Sequence, residues 1–319
     1  MKKRILASVI TLITGCLLFP PKTHASIFAF QPRLEAGLMH YSIELAALSE
    51  TTLPNAGNTT GKNSGHDKIK FSDNMGFVGC GATFFIHHLF IDLSAQFTVD
   101  GNARSQDSVS EYGEATNSLT TIITEDEAQF DRTDRALSIG YAITRRFSVY
   151  AGYKWATLHL DNTFDGQVSY LNIDNYVLNG RISGLAHYEF EYNGPFVGMT
   201  NGWEMGRGGF FSGLLTAKLA LAYLNSNLLQ NETGTAMFDL INGTEIDPES
   251  VPFDDTKTTK GTTWGLALGL DWRGATPIGN LAYCIGVSGY RYNFNSDDSS
   301  FPDISETSVI FKVGLSYAY

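Results

Sequence analysis

The chain has 319 residues, a formal net charge of −11 and 17% charged residues. That acidic balance excludes a nucleic-acid binder, which needs a basic footprint for phosphates. Three cysteines in such a length exclude a disulfide framework, and after residue 25 no apolar run reaches the length of a membrane helix.

Met1-Lys2-Lys3-Arg4 is basic, residues 5–19 are largely apolar, and Pro20-Pro21 ends the run. Thr23-His24-Ala25 then offers a small-x-small cut after Ala25, so residues 1–25 read as a secretory signal peptide. Leu12-Ile13-Thr14-Gly15-Cys16 reads alternatively as a lipobox that would leave Cys16 acylated. The apolar run passes Cys16, which favours the later cut. Both readings export the protein. Cleavage removes Lys2, Lys3, Arg4 and Lys22, moving the net charge from −11 to −15.

Residues 26–319 read as one β-barrel domain of ten strands, near 33–47, 70–86, 89–100, 132–144, 146–160, 188–204, 209–225, 261–273, 281–294 and 306–319. The carrying signal is a period of two. Ile91, Leu93, Ala95, Phe97 and Val99 alternate with Asp92, Ser94, Gln96 and Thr98. Phe147, Val149, Ala151, Tyr153 and Trp155 alternate with Ser148, Tyr150, Gly152 and Lys154, and Trp264 to Trp272 repeat the pattern against Gly265, Ala267, Gly269 and Asp271. Val309, Phe311, Val313, Leu315, Tyr317 and Tyr319 close the chain in the same way. One face of each strand is greasy and the other small or polar. Aromatics gather at the stripe ends, where two membrane interfaces would lie. Cys80 and Cys284 sit inside strands as small packing residues.

The links sort by length. Short ones fall at His87-His88, at Arg145, at 204–208 and at 274–280; long polar ones fall at 48–69, 101–131, 161–187, 226–260 and 295–305. That asymmetry predicts a transmembrane, antiparallel, up-and-down barrel with short periplasmic turns and long extracellular loops, both termini being periplasmic. Within 161–187, the pieces 167–171 and 176–182 read as a projecting hairpin or as two more spanning strands, which would make twelve. Their polar residues favour the hairpin.

The terminal run Phe311-Lys312-Val313-Gly314-Leu315-Ser316-Tyr317-Ala318-Tyr319 resembles the C-terminal signature of bacterial outer-membrane barrel proteins, with tyrosine where phenylalanine is usual. Residues 137–154 are similar to strand-turn-strand units of small porin-like proteins. The resemblance implies the outer membrane of a Gram-negative cell, a last strand read by the barrel-assembly machinery, and lipid and lipopolysaccharide as neighbours. It selects no subfamily.

Parity places Arg33, Glu35, Asp92, Lys154, Lys218, Asp271, Arg273 and Lys312 inside the barrel. Charges there must be paired or hydrated, and a barrel of this size is largely filled by its own side chains. A structural ion-pair network is expected, with a narrow charged pore for small solutes as the alternative. The first and last strands must pair, so a Lys312–Glu35 contact is expected. No cofactor or metal site is expected: His87 and His88 are adjacent and point to opposite faces, and no calcium-loop spacing occurs. The omptin proteases, also ten-stranded, use an Asp pair and a late Asp-x-His. No histidine follows His187. His159-Leu160-Asp161 reverses that order and reads as a polar rim, with a membrane-embedded hydrolase as the weaker alternative; it is too isolated to complete a deacylase Ser/His pair. Acidic stretches such as Glu125-Asp126-Glu127, Asp254-Asp255 and Asp297-Asp298 lie in the long links and suggest surface recognition of an external ligand as a further reading.

Overall fold

The computed structural model describes residues 28–47, 67–99, 101–113, 118–172, 177–206, 212–241, 249–276, 280–296 and 304–318. The signal-peptide, Cys16, Asp297-Asp298 and Tyr319 readings lie outside these residues. The elements are β1 (Phe28–Ala47), β2 (Asp67–Ile86), β3 (Leu89–Val99), β4 (Gly101–Gly113), β5 (Ser118–Ala142), β6 (Phe147–Asn172), β7 (Val177–Met205), β8 (Gly213–Ile241), β9 (Glu249–Ala275), β10 (Leu281–Ser296) and β11 (Ile304–Tyr317).

Every neighbouring pair is antiparallel, and β1 pairs with both β2 and β11, from Arg33↔Ser316 to Glu44↔Ser305 on the closing side. β3 and β4 occupy one place in the ring, because both pair with β5 at successive heights. Phe97 faces Thr133 and Gly101 faces Phe130, so between these pairs the β3–β4 side advances four positions and β5 only three. This is a bulge, an extra residue that breaks one strand into two segments. Thr98 Oγ1 stitches it, accepting from the Arg132 N–H at 2.7 Å. The barrel therefore has ten strands. β6 and β7 pair as far as Leu171↔Val177, so the 161–187 segment is a projecting hairpin and the twelve-strand alternative is gone.

The links expected as long loops at 101–131, 161–187 and 226–260 are mostly ladder. β7 and β8 each run 29 residues, where about ten tilted residues span a bilayer. Glu125, Asp126 and Glu127 are rungs of β5, and Asp254 and Asp255 are rungs of β9. The physical reason is a change of phase. On β1, Leu34 and Leu38 point out while Arg33 and Glu35 point in; further along, Met39, Tyr41, Ile43 and Leu45 are buried and His40 faces out. On β6, Val149, Tyr153 and Trp155 are exposed, then Leu158 and Leu160 are fully buried. The backbone continues as a strand, but its greasy face has moved inward.

Two zones result. The lower zone, next to the short turns, carries an exposed apolar belt that includes Leu34, Leu93, Ile139, Leu268 and Val313. A continuous belt of this kind is suited to lipid. Exposed aromatics border it: Phe84, Tyr141 and Trp203 near the turns, and Tyr153, Trp155, Tyr223 and Trp264 above. From Trp264 to Trp272, strand geometry and tilt give a belt about 20 Å tall. The upper zone projects beyond it and has an ordinary apolar core of Tyr41, Phe71, Phe130, Leu158, Phe190 and Phe294, among others.

Candidate functional site

All eight inward charges read from the sequence face the bore, and the structure divides them. Asp92, Arg33, Glu35, Lys312, Asp271 and Lys218 form one chain of contacts in the lower zone. Arg33 Nη1 lies 2.6 Å from Asp92 Oδ1, and Arg33 Nε lies 3.7 Å from Glu35 Oε1. Lys312 Nζ is 3.5 Å from Glu35 Oε2 and 3.1 Å from Asp271 Oδ1, and Lys218 Nζ is 2.6 Å from Asp271 Oδ2. The expected Lys312–Glu35 neighbourhood is thus present across the closing seam. The chain follows the wall through β3, β1, β11, β9 and β8 and leaves the middle of the bore open. Glycines make room for it: a Cβ on Gly81 would strike the Arg33 guanidinium, and one on Gly286 would strike the Asp271 carboxylate.

This arrangement leaves a cavity of about 610 Å³ in the lower bore. Arg273 lines it, as do Arg145 and Arg146 from the turn between β5 and β6. Its surface is mixed, with Phe90, Tyr150 and Phe196 beside the charges.

Lys154 belongs to a second group that crosses the bore. Its Nζ lies 2.7 Å from Asp134 Oδ1 and donates to Tyr292 Oη at 2.8 Å, joining β6 to β10. Arg132 Nε lies 2.6 Å from Asp134 Oδ2, and its Nη1 pairs with Glu306 on β11. β5 and β11 are separated around the ring by β3, β2 and β1, so this pair is a strut. The Arg132 guanidinium also sits 4.9 Å from the Tyr290 ring centroid, a cation–π contact. Arg132, Asp134 and Glu306 are absent from the sequence-derived set. Parity would have found them: Arg132 and Asp134 continue the inward phase of Ser138 and Gly140, and Glu306 continues that of Lys312.

Above the struts the bore is closed by the apolar core. Polar contacts are set into that core: Asn162 donates to Asp126 Oδ1 at 2.8 Å, and Tyr188 donates to Glu232 Oε1 at 3.0 Å. Burial, followed by the Glu232 carboxylate, pushes its phenol well above its ordinary value.

A third group lies on the outer wall of the upper zone. His159 and Asp161 of β6 stand opposite Glu189 and His187 of β7. His187 Nδ1 is 2.5 Å from Asp161 Oδ1, and His159 Nδ1 is 3.8 Å from Glu189 Oε1. The two imidazoles stack at 6.2 Å between centroids. His87 and His88 are remote, in the β2–β3 turn, where His87 takes a positive φ of 56°. Cys80 and Cys284 are free thiols.

No family model and no curated protein matches the sequence. Among solved structures, the outer membrane protease OmpT from Escherichia coli is similar at a TM-score of 0.50 and 11% identity, over 93% of this chain and 99% of that one. The translocator domain of the autotransporter NalP from Neisseria meningitidis aligns at 0.31 and 10% identity, over 99% and 95% of the two chains. A FadL homologue from Pseudomonas aeruginosa aligns at 0.27 and 8%, over 90% of each. At 11% identity the likeness to OmpT is one of architecture alone. The chain has the fold of the bacterial outer-membrane β-barrels, without assignment to a subfamily.

Proposed function

We propose that this chain is a closed outer-membrane barrel that passes no solute through its lumen and meets its surroundings through the projecting wall. One observation carries the reading: the upper bore is filled. Arg132–Glu306 and Lys154–Tyr292 cross it, and the packed core from Tyr41 to Phe294 lies above them. A through-pore needs a continuous hydrated path, whereas among the described residues cross-bore contacts and a packed core stand above the lower cavity. The narrow-channel alternative is tested by planar-bilayer recording with refolded protein. A flat baseline is expected. Steady, ohmic single-channel steps would overturn the reading.

A surface-recognition role has its own support, because strands extending past the belt make a rigid scaffold for exposed side chains. The same reading carries cleavage after Ala25, delivery to the outer membrane, assembly by the barrel-assembly machinery, and lipopolysaccharide as the outer neighbour. N-terminal sequencing and membrane fractionation test the first two. The reading assigns no catalysis. No hydrolysis is expected in a peptide and lipid-ester screen, and turnover that disappears in His159→Ala would reverse it.

A further inference from the structure

We propose that His159, His187 and Glu189 bind a divalent transition cation of the zinc class, with Asp161 as the positioning residue behind His187. The site goes beyond the closed-barrel reading and does not depend on it.

The register builds the cluster. His159 pairs with Glu189 and Asp161 with His187, so two i, i+2 pairs on adjacent antiparallel strands form a square of four side chains. Leu158, Leu160 and Phe190 on the opposite parity are buried in the core, which turns the square outward. One ligand atom from each of His159, His187 and Glu189 lies within 4.8 Å of the others. Ligand atoms in a tetrahedral zinc site are about 3.4 Å apart, so the group needs only a modest contraction. The side chains can supply it, since His159 is 42% exposed, His187 43% and Glu189 32%.

The second observation is the orientation of His187. A carboxylate only accepts, so Asp161 Oδ1 accepts a hydrogen bond from the His187 Nδ1–H across the 2.5 Å contact. That bond fixes the ring and presents Nε2, the arrangement that carboxylates impose on metal-ligating histidines. His159 and Glu189, by contrast, stand 3.8 Å apart, beyond hydrogen-bonding range. They are close enough to share a cation and too far apart to satisfy one another. The plain alternative is a set of solvated polar rungs, but that would not require a histidine locked by its own carboxylate beside two further ligands.

Two imidazoles and one carboxylate select the metal. Calcium and magnesium favour all-oxygen shells, whereas nitrogen-rich sets suit zinc and its neighbours. Three protein ligands leave a fourth position for water. Counted along β6, His159 stands about 10 Å above Trp155 at the belt's upper border, so a cation from the medium can reach it.

The test is a Zn²⁺ titration of the EDTA-treated, refolded barrel in detergent, read by competition with a chromophoric chelator. One Zn²⁺ per barrel is expected, undisturbed by excess Ca²⁺ and by His87→Ala/His88→Ala. His159→Ala and His187→Ala should each weaken binding about 100-fold, and Glu189→Gln somewhat less. Asp161→Asn should weaken it about 10-fold at unchanged stoichiometry, with recovery in Asp161→Glu. Circular dichroism checks that each variant folds. No saturable binding by the wild type, binding that survives His159→Ala/His187→Ala, or displacement by Ca²⁺ would each overturn the site.

Discussion

The lower and upper halves of a single strand obey opposite rules. On β6, Val149 to Trp155 present their apolar side to the outside and Lys154 faces in; a few residues later Leu158 and Leu160 face in and His159 and Asp161 face out. The period of two is unbroken across the border. What inverts is the solvent on each side. Lipid outside and water inside favour one phase, while water outside and no room for it inside favour the other. The border falls at Tyr153, Trp155, Tyr223 and Trp264, whose rings pair at 4.7 Å on β6 and between β8 and β9. Amphipathic rings belong at such a boundary.

Substitutions at chosen rungs should expose the contrast. The largest effect is expected from Glu306→Ala, which leaves Arg132 in the upper bore with Asp134 as its remaining carboxylate partner. Loss of one member of a buried pair costs about 3–5 kcal/mol, and this variant should sit near the lower figure in denaturant unfolding from lipid vesicles. Next is Leu268→Arg, which puts a cation in the middle of the belt, at a side chain 56% exposed. A loss of about 2–4 kcal/mol is expected in the same assay. Gly286→Val should cost about 1–3 kcal/mol, because the new side chain overlaps the Asp271–Lys312 contact; a nearly neutral result would mean that the lower chain is loosely held. The smallest effect belongs to Thr258→Arg, on the same strand and outward face as Leu268 but above the border. It should fall within about 0.5 kcal/mol of wild type. Equal losses for Leu268→Arg and Thr258→Arg would erase the distinction between the zones.

The same contrast explains what could be read in advance. The belt was legible because its stripes are long and share one phase, so strand positions and short turns followed directly. The upper ladders were not, since a pattern that changes phase looks like the end of a strand. Glu125 to Glu127 and Asp254-Asp255 read as loop acids for that reason, although each is a rung. Arg33, Glu35, Asp92 and Lys312 could be placed by parity, because parity needs no register. Their separation from Lys154 could not, as it depends on which strands face each other across the bore. His187 and Glu189 escaped notice for a related reason. Their meeting with His159 rests on the β6–β7 register, and Asp161 and His187 fall in the stretch that reads as a link.

The strut from Arg132 to Glu306 also bears on the order of assembly. Its two ends are separated by 174 residues, and Glu306 lies on the final strand. Until β11 docks against β1, Arg132 has no cross-bore counterpart, and enclosing it would cost several kcal/mol. The upper core can therefore consolidate only after the ring has closed. The last strand acts as a latch: it seals the circumference and, in the same step, supplies the counter-charge that lets the interior dry.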